Sequence, residues 1–173
     1  MNKNLFIQAI TKFLLGVILV GLLIFLPAGT FSFLNGWLLM GILFIPIFFA
    51  GIVMLFKNPD LLRNRLEAKE KQKEQDVVVK LSGLMFLAGF IVAGLGYRFD
   101  WYILPHTVSL VASVLFLLSY VLYAEVMREN TYLSRTIKVQ ENQKVIDTGL
   151  YGMVRHPMYS ATLLLFLAMP LVL

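Results

Sequence analysis

Gly36–Phe56, reading GWLLMGILFIPIFFAGIVMLF, decides the fold. It holds no charged side chain, and about 20 consecutive apolar residues are what an α-helix needs to cross the ~30 Å hydrocarbon core of a bilayer. Pro46 lies inside it and should kink the helix, a defect that membrane helices tolerate where neighbours satisfy the freed backbone groups. Working back toward the N-terminus, Pro27-Ala28-Gly29-Thr30 turns the chain, and Leu5–Leu26 is a second apolar run with Lys12 close enough to its end to snorkel to the interface. No charge lies between Lys12 and Lys57. The first run overshoots the h-region of a signal peptide and no A-x-A site follows it, so it reads as a retained helix.

Working toward the C-terminus, Lys57–Lys80 is the one strongly polar segment among the spans. Asn58-Pro59-Asp60 opens it with a capping side chain, a proline at the first helical position and an acid in the first turn, which predicts a short interfacial helix. Leu61, Leu62 and Leu66 are expected to face the membrane, with Glu67 and Lys71 paired four residues apart. The run Lys69–Asp76 reads as a solvated face. Leu81–Tyr97 and Ile103–Ala124 then form a hairpin of two further spans joined by Arg98-Phe99-Asp100-Trp101, with its aromatics at the interface. His106 reads as an interfacial polar residue. A last apolar run, Ala161–Leu173, gives about 13 residues against the roughly 20 of a full span, so the chain is expected to be incomplete at this helix.

Composition agrees: 59% of the 173 residues are hydrophobic, 14% are charged and the mean hydropathy is +0.80, where soluble domains average about 45–50% apolar. The expected fold class is an all-α polytopic transmembrane helical bundle of four full spans and a partial fifth, with a cytoplasmic loop ahead of the last helix that the resemblance described below makes the cofactor loop. One membrane domain, 1–173, divides into a first helical hairpin (1–56), a loop with an interfacial helix (57–80), a second hairpin (81–124) and a polar segment leading into the final helix (125–173). Without cysteine there are no disulfides, thiolate metal sites or cysteine nucleophiles. Asp and Glu are scattered singly and suggest no metal ligand set. The net charge of +5 falls between apolar runs rather than on one amphipathic face, which points to lipid headgroups rather than nucleic acid as its partner.

Basic residues also fix an orientation. Lys57, Arg63, Arg65, Lys69, Lys71, Lys73 and Lys80 share one loop and Arg128, Arg135, Lys138, Lys144 and Arg155 another, against Arg98 alone in the opposite loops. Both basic loops should be cytoplasmic, with the N-terminus inside. Cysteines introduced at Lys73 and at Phe99 should therefore label from opposite sides of sealed vesicles, and labelling from one side would overturn this topology.

Site-like residues concentrate between Glu125 and Ala161. Pro157 suits the first turn of a helix, so Arg155 and His156 are expected at a helix N-terminus, where free N–H groups and the positive dipole end favour a carboxylate or phosphate. Gly149 and Gly152 flank Tyr151 and permit a close backbone approach to a ligand. A juxtamembrane loop whose arginines meet lipid phosphate has much the same composition, so both readings stand at this point.

Gly149-x-Tyr151-x-x-Val154-Arg155-His156-Pro157-Met158-Tyr159 resembles the Gly-Pro-Tyr…Arg-His-Pro-x-Tyr-x-Gly motif of the isoprenylcysteine carboxyl methyltransferase family and its bacterial, phospholipid methyltransferase-like relatives. Arg128-Glu129-Asn130-x-Tyr132-x-Ser134-Arg135-x-x-x-Val139-Gln140-Glu141 is similar to the segment that precedes the motif, and Asn58-Pro59-Asp60-Leu61-Leu62-x-x-Arg65-Leu66 to the family's first cytoplasmic loop. Leu150 stands where the family has proline and Ala161 where it has glycine; a later paired glutamate has no counterpart before Leu173, which predicts weak cofactor binding by this chain.

The resemblance implies methyl transfer from S-adenosylmethionine to a lipid-borne or prenyl-type acceptor, in an integral membrane protein of bacterial inner-membrane type with its active site toward the cytoplasm. It implies cofactor contacts from Gln140, Gly149, Tyr151, Val154, Arg155, His156 and Tyr159. Arg155 and His156 are implied to be catalytic, and Asn130 and Arg135 to contact the acceptor. No metal is required. Two alternatives remain from the residues alone: a sterol or lipid reductase using a nicotinamide dinucleotide phosphate, whose terminal motif is related, and a non-catalytic membrane subunit.

Overall fold

The computed structural model describes residues 3–66, 73–101, 104–130, 132–133 and 145–173, and no strand occurs among them. Four helices have the length and composition of membrane spans: α1 (Lys3–Ala28), α2 (Leu34–Lys57), α4 (Lys73–Arg98) and α5 (His106–Glu129). Between α2 and α4 lies α3 (Pro59–Leu66), and after α5 come a single turn, α6 (Leu150–Met153), and the shorter apolar helix α7 (Pro157–Val172). The protein is an all-helical integral membrane protein.

Local chemistry places the helix ends. The Asn58 side-chain oxygen accepts the Leu61 amide at 3.1 Å, capping α3 directly ahead of Pro59 as the sequence predicts. Leu61 and Leu62, expected to face lipid, are instead buried, each 4% exposed, because α3 packs onto α2. Lys12 donates its ammonium to the carbonyl of Leu66, tying the far end of α3 to α1. Glu67 and Lys71 lie outside the described residues. At the opposite end of the bundle α1 runs on through Pro27 to Ala28 and stops at Gly29, whose φ of +69° favours glycine. The Trp37 indole there donates to the Phe31 carbonyl at 2.8 Å, and Phe33 stacks on Tyr97 with centroids 4.3 Å apart.

Packing follows small side chains. On α5 a stripe of Ser109, Ala112, Ser113, Phe116 and Ser119 is buried, and α7 meets it with Ala161, Leu165, Ala168 and Val172. Lipid tails are as apolar as leucine, so helices in a bilayer associate through close van der Waals contact and interhelical hydrogen bonds, which small residues permit. Two hydroxyls on the stripe bond within their own helix, Ser113 to the Ser109 carbonyl at 2.7 Å and Ser119 to that of Phe116 at 2.6 Å, while the Ser109 hydroxyl accepts the Asn35 side-chain amide of α2 at 3.3 Å.

The spans also pair out of chain order, with α4 packed chiefly along α1 and α5 along α7 and α2. Pro46 leaves the Ile42 carbonyl without its usual donor, and Tyr120 of α5 donates its hydroxyl to the neighbouring Leu43 carbonyl at 3.0 Å. That bond fastens α5 to α2 where the α2 ladder is weakest, and it fixes one wall of the cleft described next.

Candidate active site at the basic end of the bundle

The end of α5, the turn α6 and the start of α7 converge. Asn130 caps α5, with its amide on the Val126 carbonyl at 3.0 Å. Its side-chain oxygen accepts the Tyr132 amide at 3.1 Å, and its Nδ2 donates to the Tyr151 hydroxyl at 3.1 Å. A half-buried asparagine thus holds the phenol of Tyr151 on α6.

One residue earlier, both oxygens of Glu129 accept the Leu150 amide, at 3.0 and 3.1 Å. This carboxylate caps the first turn of α6. Gly149 makes the arrangement sterically feasible: its φ of 55° and ψ of −126° are glycine territory, and a Cβ there would stand 1.6 Å from Glu129 Oε1. Sequence reasoning assigned the close approach at Gly149 to a ligand. The group that approaches is the protein's own carboxylate, and Glu129, read only as part of the Arg128-Glu129-Asn130 segment, carried no separate signal of this role.

Three residues beyond α6 the chain enters α7. His156 is its N-cap residue and Pro157 occupies the first helical position, as the sequence indicated. Arg155 and His156 are exposed, Tyr159 is 66% exposed, and the rings of His156 and Tyr159 stack with centroids 5.2 Å apart. Val154 closes α6 with its amide on the Leu150 carbonyl at 2.9 Å. The result is a solvent-facing shelf with one guanidinium, a stacked imidazole–phenol pair and the start of a helix. Gln140 and Arg135 lie outside the described residues. Arg128 sits near the shelf but is paired with Glu125, at 2.8 Å through Nε and 2.5 Å through Nη2.

Farther along α5 and α7 a cleft of about 590 Å³ opens between α2 and the α5–α7 pair. Pro46 and Ala50 form one wall, Tyr120, Tyr123 and Met127 the other, Leu165 and Phe166 close it below, and Arg65 of α3 reaches its edge. The Tyr123 hydroxyl is hydrogen-bonded to Thr162 Oγ1, and Thr162 donates to the Met158 carbonyl at 2.8 Å, so one wall of the cleft is locked to the first turns of α7. Among the described residues no three His, Cys, Asp or Glu side chains gather as a metal site would require.

Residues 107–173, which run from the second residue of α5 through α6 and α7, match the family model described as phospholipid methyltransferase. The match supports a membrane methyltransferase acting on lipid-type substrates. Comparison with curated proteins and with solved structures returned no match.

Proposed function

We propose that the protein transfers a methyl group from S-adenosylmethionine to an acceptor carried on a membrane lipid. The observation that supports it is that the Arg155–His156–Tyr159 shelf and the α2/α5/α7 cleft are built on the same two helices: the cleft is lined by Met127, about one turn before Asn130 on α5, and by Leu165 and Phe166, about two turns beyond Tyr159 on α7. The donor set suits this cofactor. Arg155 and the N-terminus of the 16-residue α7 offer a carboxylate partner, and the Tyr151 and Tyr159 ring faces offer a surface for a sulfonium. When bound, the cofactor supplies an electrophilic methyl group.

The chain's own residues then have positioning roles. Asn130 sets the Tyr151 ring, Glu129 and Gly149 set the turn that carries it, and Tyr123 with Thr162 holds α7 at the edge of the cleft. Displacement at carbon needs alignment and exclusion of water more than proton transfer. Gln140 as a cofactor contact and Arg135 as an acceptor contact belong to the same proposal on the resemblance alone. The acceptor's apolar chain lies in the α2/α5/α7 cleft, entering sideways from the bilayer, with the shelf on the cytoplasmic face.

Arg155→Ala should weaken S-adenosylmethionine binding by about 1.5–3 kcal/mol, the scale of a charge-assisted hydrogen bond, without unfolding a helix whose buried face it does not touch. Titration calorimetry measures it, and an unchanged affinity would return Arg155 to a lipid-headgroup role. The reaction class is tested by which cofactor raises the melting temperature. Stabilisation by S-adenosylmethionine supports the proposal, and stabilisation by a nicotinamide dinucleotide phosphate instead would replace it with a reductase.

A further inference from the structure

A second groove lies away from the proposed methyl-transfer site. Its walls are α1 from Phe6 to Gly16 and α2 from Phe44 to Leu55, and α3 crosses it with Leu62, Arg65 and Leu66. It encloses about 360 Å³. Ten residues of α1 at 1.5 Å each give it a length of about 15 Å, half of the ~30 Å hydrocarbon core and so the depth of one leaflet.

Among the described residues the lining is apolar except for Lys12 and Arg65, both cationic. The two charges meet at the C-terminal end of α3, because Arg65 precedes Leu66 and the Leu66 carbonyl is the acceptor of the Lys12 ammonium. The negative end of a helix dipole amounts to about half a charge. Two full positive charges outweigh it. An ammonium has three N–H donors and a guanidinium five, so the Leu66 bond leaves Lys12 able to hold a further anion. Gly51 lines the same groove, and a Cβ built on it would meet nothing within 4 Å, so the glycine keeps the channel open.

From this charge and shape we infer that the α1/α2/α3 groove is a binding site for an anionic phospholipid. One acyl chain lies between α1 and α2, and the headgroup phosphate is held by Arg65 and Lys12. The guanidinium suits phosphate because its planar fork matches two oxygens at once. Arg65 also stands at the edge of the α2/α5/α7 cleft, so the lipid orders a side chain shared by both openings.

Native mass spectrometry of the purified chain with phosphatidylglycerol or phosphatidylcholine of identical acyl chains tests this, and it needs neither cofactor nor turnover. Wild type should retain phosphatidylglycerol at least about tenfold better. Lys12→Ala with Arg65→Ala should weaken that retention about 25-fold, about fivefold for each basic side chain near an anionic lipid. Gly51→Leu keeps both cations and fills the groove from open space, so it should lose the lipid to a similar degree, and it carries the test if the double variant does not fold. Arg63→Ala, on the exposed side of the same helix, should change retention less than about twofold. Equal retention of the two lipids by wild type, full retention by Gly51→Leu, or an Arg63→Ala loss as large as that of the double variant would each overturn the site.

Discussion

Gly149→Ala is expected to reduce S-adenosylmethionine affinity by more than about 100-fold while leaving the four spans intact. The added Cβ would lie 1.6 Å from Glu129 Oε1. A carboxylate can swing away from such a contact, but swinging removes the acceptor from the Leu150 amide, at a cost of about 1.5–3 kcal/mol for a hydrogen bond to a charged group. It leaves the second problem untouched, since φ of 55° with ψ of −126° is strained for any L side chain by about 1–3 kcal/mol. Together these exceed what one turn of helix can hold, so α6 should open and Tyr151 should leave Asn130. Calorimetry reads the affinity, and hydrogen exchange at the Leu150 amide reads the turn. The double variant Gly149→Ala with Glu129→Ala removes the clash and keeps the backbone strain, so it should recover little. Wild-type affinity in Gly149→Ala would show that α6 does not carry the cofactor site.

Gly94→Leu should destabilise the bundle itself by about 3 kcal/mol or more. Even a Cβ at Gly94 would stand 2.5 Å from the Ile24 carbonyl oxygen and 3.1 Å from the Ala28 nitrogen, both backbone atoms of α1. Neither can turn aside as a side-chain tip does, so α1 and α4 must separate along the contact that is α4's principal packing. Gly89 lies on the same helix with nothing within 4 Å of its Cβ position, and Gly89→Leu should be neutral or slightly stabilising through helix propensity. Unfolding in a graded detergent series compares the two variants. Equal stability would mean that the α1–α4 approach is not what holds this half of the bundle.

Part of the site was legible because it rests on covalent constraints. Pro157 announces a helix start by its missing N–H, and Arg155 and His156 are carried to that start by adjacency alone. Asn58 ahead of Pro59 is legible in the same way. The partners of Gly149 and Tyr151 were not, because Glu129 and Asn130 lie about 20 residues earlier and meet them only when α6 folds back onto the end of α5. Tyr123 and Thr162, and Tyr120 and the Leu43 carbonyl, are of the same kind.

The spans followed from length and apolarity, since in a bilayer a helix must satisfy its own backbone and must match the hydrocarbon thickness, and both conditions are local. Which face of each helix turns inward is not local. In water an apolar stripe marks the buried side, but here lipid and protein are equally apolar, and in the most hydropathic span, Leu34–Lys57, only 6% of an 18-residue apolar stretch is buried, against 28% in the less apolar His106–Glu129. Apolarity alone therefore carried no inside and outside. That choice was made by Ser109, Ala112, Ser113 and Ser119 on α5 and by Gly94 on α4, where small side chains let two backbones come close enough for dispersion forces to act. The sequence by itself determined that the chain crosses the membrane and where α7 begins; only the tertiary structure decided that α4 lies on α1, that α5 lies on α7, and that a cleft opens between that pair and α2.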